Sequence, residues 1–458
     1  MPLENRDEQN EALLPRARSG SGRDHTDHVV CGDGKVGLVA STATLLLGVL
    51  GAGQLTLPFA VNQAGLVLAV AYLALLGVLA VVVLKMLMVS SKYTGQTTYA
   101  AVLEETCGPK ARLVANTLLG IYAWGGAVSF LILVADELED LSAVFGWDQP
   151  RWILITMLSV CVVYPLSLCS NLDRLKFTSY LGATAAIYIN FVVFVNAPWF
   201  QNGKTFDTCG GYEHARLVDD PPRFDLFPNT ALGAFNSLPL IAFALNSAWC
   251  FVPILNSLYE PTPPRVNRMI TSANVIILTN YALLAFVGYF SYCSNTKDNI
   301  LGNLPSTPLV IVARVMLIMQ LSFALPLRFH VTRGVLYEQA PFMPSRQLSD
   351  PSTSGEKVVY TLSTTLLVGV AVMIAALTSN LHVVIGLTSA VCASFTIYIF
   401  PALSFRIAVA HKEPHTNGEK FFMNIAPYIC IATGVAVLVL GTGAILVEVA
   451  FGMKVTGG

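Results

Sequence analysis

Charged residues are scarce in this sequence: Asp, Glu, Lys and Arg make up 12% of its 458 residues, about half the usual share for soluble domains. The formal net charge is −1, so electrostatics gives no reason to expect a nucleic-acid partner. The nine cysteines form no Cys-x-x-Cys pair and show no metal-type spacing with histidine. No paired aspartates or His-Glu-x-x-His motif interrupt the apolar runs. We therefore expect no enzyme, no metal centre and no cofactor.

Long hydrophobic runs dominate instead. Crossing the hydrocarbon of a bilayer takes about 20 apolar residues in a helix, and backbone groups inside lipid must satisfy one another. The sequence predicts an all-α membrane protein with eleven transmembrane helices and the lipid bilayer as a partner; it does not predict an oligomeric state. The predicted spans are 36–60, 65–89, 113–135, 152–169, 177–196, 231–258, 269–291, 309–327, 358–378, 382–404 and 425–447.

Lysine and arginine alternate between the connections. On one side of the membrane they sum to 20 and on the other to 6, with Arg314 inside span 8. Because cytosolic loops carry the excess of basic residues, we expect a cytosolic N-terminus. Residues 1–35 are polar, rich in Gly, Ser and Arg, and unlike a signal peptide, so we expect a disordered cytosolic tail before a transmembrane domain over 36–458.

Span 1 is weakened in its middle. Gly51 and Gly53 flank Ala52, and glycine costs about 1 kcal/mol relative to alanine inside a helix. Pro58 lacks an N–H and frees the carbonyl of Gln54, four residues earlier. Freed backbone groups at this depth are tolerated only against protein or water. Close helix packing at small residues is the alternative explanation for the glycines alone.

Span 6 is weakened in the same way. Asn246 and Ser247 interrupt its apolar run, and Pro239 and Pro253 lie on either side of them. Spans 1 and 6 are five spans apart, and an odd offset reverses direction across the membrane. Two inverted five-helix repeats, 36–196 and 231–405, with an extra helix at 425–447, are therefore predicted. Broken helices in matching positions of such repeats indicate a binding site between them.

An α-amino acid suits two such breaks. N–H groups of Gly51, Ala52 and Gly53 can donate to its carboxylate, and carbonyls near Leu47, Gly48 and 244–246 can accept from its ammonium group. The predicted substrate-binding residues are Gly51, Ala52, Gly53, Gln54, Ala244, Leu245, Asn246 and Ser247. Simple hydrogen-bonded bridges between helices are the alternative for Gln54 and Asn246. Because spans 1, 3, 6 and 8 carry no acidic residue in their middle, we expect neutral amino acids rather than cationic ones.

Other ionisable residues lie towards the ends of spans. We expect Arg314 to extend towards the interface, and Glu448 and the acidic run 136–140 to be solvated.

Four segments together resemble the amino acid/auxin permease family of the APC superfamily, and most of all its sodium-coupled neutral amino acid transporter branch. They are GAGQLTLPFAVNQAG at 51–65, PLSLCSNLDRLKFTSYLG at 165–182, SLPLIAFALNSAWCFVPILNSLYEP at 237–261 and VARVMLIMQLSFALPLRFHVTRGV at 312–335. The resemblance runs from about 36 to 405. It implies a LeuT-type fold of five plus five inverted helices and transport by alternating access.

The sequence departs from that branch where its members hold sodium. Leu47 stands four residues before the Gly-x-Gly in place of an asparagine, and Ser322 remains where the branch has threonines. Leu47, Gly48 and Ser322 are the coupling-ion candidates. Sodium needs several oxygen ligands, so we expect proton coupling or uniport. A sodium-coupled amino acid symporter and a transporter-like amino acid sensor are the alternatives.

Two predictions concern compartment. Cys209 lies in the longest outer loop and Cys293 at the outer end of span 7, so a disulfide between them and two free thiols are equally compatible with the sequence. We expect the plasma membrane. The Leu13-Leu14 pair after Glu11 faintly resembles an endolysosomal sorting signal, which leaves the vacuolar or endolysosomal membrane as the alternative.

Overall fold

The computed structural model describes residues 34, 36–147, 149–168, 176–197, 225–339, 354–410, 414 and 416–451. The predicted tail 1–35 therefore lies almost wholly outside the described residues. Within them the regular elements are helices, and an isolated β-bridge joins Val36 to Leu258. The all-α prediction is confirmed.

The described chain contains fourteen α-helices, numbered α1 to α14 in chain order. They are α1 Leu38–Val49, α2 Leu57–Ala64, α3 Leu66–Thr94, α4 Tyr99–Cys107, α5 Pro109–Val144, α6 Arg151–Leu168, α7 Lys176–Val195, α8 Ala231–Ala244, α9 Ala248–Ser257, α10 Pro263–Tyr292, α11 Pro308–Gln339, α12 Ser354–Leu377, α13 Leu381–Ala408 and α14 Asn417–Phe451. Short 3₁₀ segments lie at Ala52–Thr56, Cys293–Asn295 and Ile300–Asn303. Stretches of π-helix widen α6, α13 and α14.

Nine helical segments of the described chain are long and apolar enough to cross a membrane, with α8 and α9 counted together. The other two predicted spans correspond to the interrupted pair α1 and α2 and to α7. The predicted bounds agree with the helices to within a few residues at most ends, because long apolar runs define them. The total of eleven crossings stays a prediction.

Two features differ from the predicted spans. Helix α4, at Tyr99–Cys107, was not predicted, since nine residues are too few to cross lipid; Thr98 caps its start by accepting from the Ala101 N–H at 3.3 Å. Helix α11 continues to Gln339 rather than ending at 327. Arg328 and Arg333, which the sequence assigns to a loop, therefore belong to a helix inside the bundle.

The two interrupted helices are fastened to each other at both ends. On one side α1 packs on α9, and Val36 donates to the Ser257 carbonyl at 3.1 Å while Tyr259 donates back to Val36 at 2.9 Å. On the other side α2 packs on α8, and Leu66 donates to the Asp225 carbonyl at 3.1 Å. The four half-helices thus form two pairs, α1 with α9 and α2 with α8.

Helix α10 supports both halves of the first interrupted helix. Gly288 of α10 lies so close to α2 that a Cβ on it would stand 2.6 Å from Pro58 Cγ. The rigid proline ring occupies the space that a side chain would need. The proline that weakens the helix ladder is therefore held by a glycine of a neighbouring helix.

We expect Gly288→Ala to lower the thermal stability of the purified protein, since overpacking a filled contact costs about 1–3 kcal/mol. Gly369→Ala is the matched control, because Gly369 also lies within a helix and nothing stands within 4 Å of a Cβ added there. Thermal unfolding in detergent checks both variants. Equal midpoints for Gly288→Ala and the unaltered protein would contradict the packing.

Candidate substrate site at two helix breaks

The first break lies between α1 and the 3₁₀ segment at Ala52. The ladder of α1 closes with the Leu50 N–H donating to the Leu46 carbonyl at 2.8 Å, and Leu50 then turns to an extended conformation. Gly51 is also extended, with φ −157° and ψ −157°. Hydrogen bonding resumes when Gln54 donates to the Gly51 carbonyl at 3.2 Å. As at any helix start, the first N–H groups have no partner within the helix.

The second break separates α8 from α9 at residues 245–247. Leu245 donates to the Ile241 carbonyl at 3.2 Å and Asn246 to the Phe243 carbonyl at 3.3 Å, which ends α8. Ser247 precedes the first residue of α9 and makes no side-chain capping bond there. The last carbonyls of α8 and the first N–H groups of α9 therefore have no partner within either helix and lie close to each other.

The two breaks lie against each other. A Cβ on Gly53 would stand 3.0 Å from Phe243 Cδ1 and 3.1 Å from Ala244 Cα. Only glycine allows the first break to approach the backbone of the second so closely. The structure therefore brings together the eight residues predicted to bind substrate, at 51–54 and 244–247. Their role in binding stays a prediction.

Polar side chains at this meeting point lack partners. Asn246 is only 3% exposed, yet neither its amide nitrogen nor its amide oxygen is hydrogen-bonded to a described residue. Gln54 is 1% exposed and its amide oxygen is likewise without a partner. Leaving a buried polar group unsatisfied costs about 1–3 kcal/mol, and such groups are rare in proteins. The arrangement suits a ligand that supplies the missing hydrogen bonds.

Burial differs between the two sides of the breaks. From Gly53 to Ala64 every residue is buried, and so are the residues of α8 from Asn236 to Ala244. At the C-terminal end of α1 and just beyond it, Gly48 and Gly51 are partly exposed, and so are Trp249 and Cys250 of α9. The α2–α8 pair is thus closed over the breaks, whereas the α1–α9 pair is more open.

Sequence reasoning missed the side chains that other helices bring to the breaks. Tyr281 of α10 donates to the Val49 carbonyl at 2.9 Å, satisfying one of the loose carbonyls of α1. Tyr122 of α5 packs on Phe243 with ring centroids 5.4 Å apart, and it approaches the Asn246 amide without hydrogen-bond geometry. Phe130 of α5 lies 3.8 Å from the position of a Gly51 Cβ. Nothing in their spacing distinguishes these aromatics from ordinary core residues.

The three coupling-ion candidates lie further apart than the predicted substrate-binding residues. Gly48 lies in the last turn of α1 against Cys250, whose Sγ would be 2.7 Å from an added Cβ. Leu47 precedes it in the same turn, where helix carbonyls lack donors. Ser322 is buried in α11 and its hydroxyl has no partner among the described residues. Helix α11 packs chiefly on α5, α6 and α7 rather than on α1. Their role stays a prediction.

Arg314 and Glu137 are buried, contrary to expectation, and Glu448 is half-buried, whereas Glu139 is exposed as expected. Arg314 is 2% exposed and pairs with Asp140 and, at 3.4 Å, with Glu137, which is fully buried. Glu448 accepts from Asn236 at 2.6 Å and contacts His382 at 3.0 Å. These partners come from different helices, and a single sequence does not reveal such pairings.

Only one cysteine of the predicted disulfide lies among the described residues. Cys293 is disulfide-bonded, whereas Cys209 lies outside the described residues. Among the described cysteines, Cys107, Cys161, Cys250, Cys392 and Cys430 are free. The pairing of Cys209 with Cys293 stays a prediction.

Interrupted helices that meet within a bundle define the class of secondary transporters with the LeuT-type fold, and two solved structures share this architecture. The structure of MhsT in complex with L-phenylalanine matches with a TM-score of 0.55 at 10% identity, covering 90% of this chain and 99% of that one. The manganese transporter of Eremococcus coleocola matches with a TM-score of 0.51 at 14% identity, covering 90% and 87%. At these identities the likeness shows the fold alone.

The sequence comparisons give the family. The chain belongs to the transmembrane amino acid transporter protein family, whose model matches residues 34–447. Vacuolar amino acid transporter 2 of Saccharomyces cerevisiae is 24% identical over 432 residues, covering 91% of this chain and 84% of the relative. Sodium-coupled neutral amino acid transporter 7 of Xenopus laevis is 25% identical over 413 residues, covering 87% of each. The predicted family is confirmed.

We expect Gly53→Val to force the two breaks apart, because its side chain would meet the backbone of Ala244. Loss of amino acid binding, measured by calorimetry or by ligand-induced thermal stabilisation, is the predicted result. Gly443→Val is the matched control, since nothing stands within 4 Å of a Cβ added at Gly443. Binding that survives Gly53→Val unchanged would show that the close approach is not part of the site.

Proposed function

We propose that the chain is a secondary active transporter that moves amino acids across a membrane by alternating access. The observation that carries the proposal is the meeting of two helix breaks around Asn246, whose buried side chain has no partner among the described residues. Membership in a family of transmembrane amino acid transporters supports it. Neutral amino acids are one proposed substrate class, as in the name of the Xenopus relative.

The main chain would bind the ends of the substrate. N–H groups at Gly51–Gly53 lie at the start of the 3₁₀ segment, which runs directly into α2. The positive end of that helical stretch favours a carboxylate. Carbonyls at the ends of α1 and α8 would accept from the ammonium group. The Asn246 and Gln54 side chains would then contact the remainder of the molecule, satisfying the amide groups that have no partner.

The pairing of the half-helices would supply the movement. Val36, just before α1, is hydrogen-bonded to the end of α9, and Leu66, just after α2, is hydrogen-bonded to the segment before α8. Each pair can therefore move as one body. The difference in burial supports a conformation closed over α2 and α8 and open beside α1 and α9. Alternating access would reverse that difference by moving one pair relative to the other.

Proton coupling or uniport is our proposal for the energetics. Ser322 has one hydroxyl, and α11 packs away from α1, so the side chains supply few of the oxygen ligands that sodium needs. Sodium-coupled symport is the second candidate, since the name of the Xenopus relative states sodium coupling.

The orientation and the membrane are also proposals. The excess of basic residues supports a cytosolic N-terminus, which would place the open α1–α9 side towards the cytosol. We propose the plasma membrane from the sequence; the name of the yeast relative supports the vacuolar membrane instead. Microscopy of the tagged full chain distinguishes the two.

Uptake of labelled amino acids by the purified protein in vesicles tests the transport proposal. Concentrative uptake or exchange would support a transporter, and binding without flux would favour an amino acid sensor. We expect uptake to be unchanged when sodium is replaced by choline, because the ion site is short of oxygen ligands. Uptake that stops in choline would instead support sodium symport.

Asn246→Ala should reduce uptake about tenfold or more, as expected when a ligand loses a buried hydrogen-bonding group. Its thermal stability should not fall, because the amide has no partner to lose. Asn274→Ala is the matched control: Asn274 is also 3% exposed but donates to the Ile270 carbonyl at 2.9 Å within α10. Comparable loss of uptake in both variants would remove Asn246 from the site.

A further inference from the structure

Arg328 differs from the other charged residues of α11 in having no counterpart. Arg314 pairs with carboxylates of α5, Arg333 donates to oxygens of α6 and α12, and Glu338 accepts from side chains of α5. Among the described residues, no ion pair or hydrogen bond involves the Arg328 guanidinium. Arg328 as a whole is half-buried.

The position of Arg328 is built by α5. A Cβ on Gly126 would stand 2.1 Å from one guanidinium nitrogen of Arg328, so a side chain at 126 would displace the guanidinium from this position. The guanidinium carbon lies 4.0 Å from the centre of the Phe130 ring. That same ring approaches the first break, with its Cζ 3.8 Å from the position of a Gly51 Cβ. Arg328 is therefore held one aromatic ring away from the proposed substrate site.

Among the described residues, no carboxylate pairs with this charge. The four half-helices α1, α2, α8 and α9 contain no aspartate or glutamate, and neither do α10 and α13. The acidic residues of α5 begin at Asp136, nearly three helical turns beyond Gly126. An unpaired charge inside a membrane bundle is unfavourable and marks functional sites by default. The cation–π contact with Phe130 compensates it only in part.

A carboxylate on the substrate would supply the missing partner. The guanidinium stands over the face of the Phe130 ring, whereas Gly51 lies near its Cζ edge. The guanidinium and the N–H groups of the break are therefore placed to meet different parts of a bound molecule. Aspartate and glutamate carry a second carboxylate, two or three carbon atoms further on. We infer that acidic amino acids are substrates of this site and that Arg328 admits them by pairing with the side-chain carboxylate. The inference rests on the proposed function.

Glutamate and glutamine provide the test, because they have nearly the same shape and differ in one charge. Uptake of both labelled amino acids is measured with the full-length protein in vesicles. Arg328→Gln should reduce glutamate uptake about 30-fold or more, as for the loss of one partner of a buried charge pair, while glutamine uptake stays close to that of the unaltered protein. Arg328→Lys keeps the charge and should restore part of the glutamate uptake.

Arg406→Gln is the matched control, since Arg406 also stacks on an aromatic ring, Tyr428 at 4.5 Å, at the end of α13; it should change neither uptake. Gel filtration and thermal unfolding confirm that each variant is folded. Equal reduction of both uptakes by Arg328→Gln, or glutamine uptake without glutamate uptake in the unaltered protein, would overturn the inference. Absence of any amino acid uptake by the unaltered protein would refute the proposed function itself.

Discussion

Gly53 lies against the backbone of Ala244, and the rest of the site depends on that contact. This contact joins two points at which the backbone hydrogen bonding of a membrane helix is interrupted. Backbone groups released inside a bilayer are stable only when protein or a polar ligand covers them. Because each break covers part of the other, both can persist at mid-membrane, and the groups left over, with the Asn246 side chain, remain available to a ligand.

The surrounding helices stabilise this arrangement without closing it. Tyr281 satisfies the Val49 carbonyl, and Gly288 accommodates Pro58, so α10 fixes both sides of the first break. The β-bridge at Val36 and the hydrogen bonds at Leu66 connect the outer ends of the half-helices. The breaks are therefore anchored at their ends and at their centre, while the α1–α9 pair keeps more of its surface exposed. That combination is what a rocking movement about a fixed site requires.

The charged residues of α11 also differ between its ends and its middle. At one end of α11, Arg314 is neutralised by Glu137 and Asp140; at the other, Glu338 pairs with Arg112. These pairs link helices where the bundle meets the membrane boundary. Arg328, between them, has no carboxylate partner in the described part of the chain and lies beside the aromatic ring that borders the first break. Paired charges therefore join α11 to α5 near the ends of both helices, and our inference assigns the unpaired charge between them to the substrate.

The sequence by itself determined the helical class, the approximate ends of the spans and the positions of both breaks, since apolar length, glycine and proline act locally along the chain. The end of α11 could not be predicted, because two arginines close together in a sequence are typical of a polar loop. Their partners, Gly126 and Phe130 for Arg328 and several oxygens for Arg333, come from other helices. Only the tertiary structure decided that the two breaks touch and which polar groups stay without partners. A contact between two helices that are far apart in the chain leaves no recognisable pattern in the sequence of either helix.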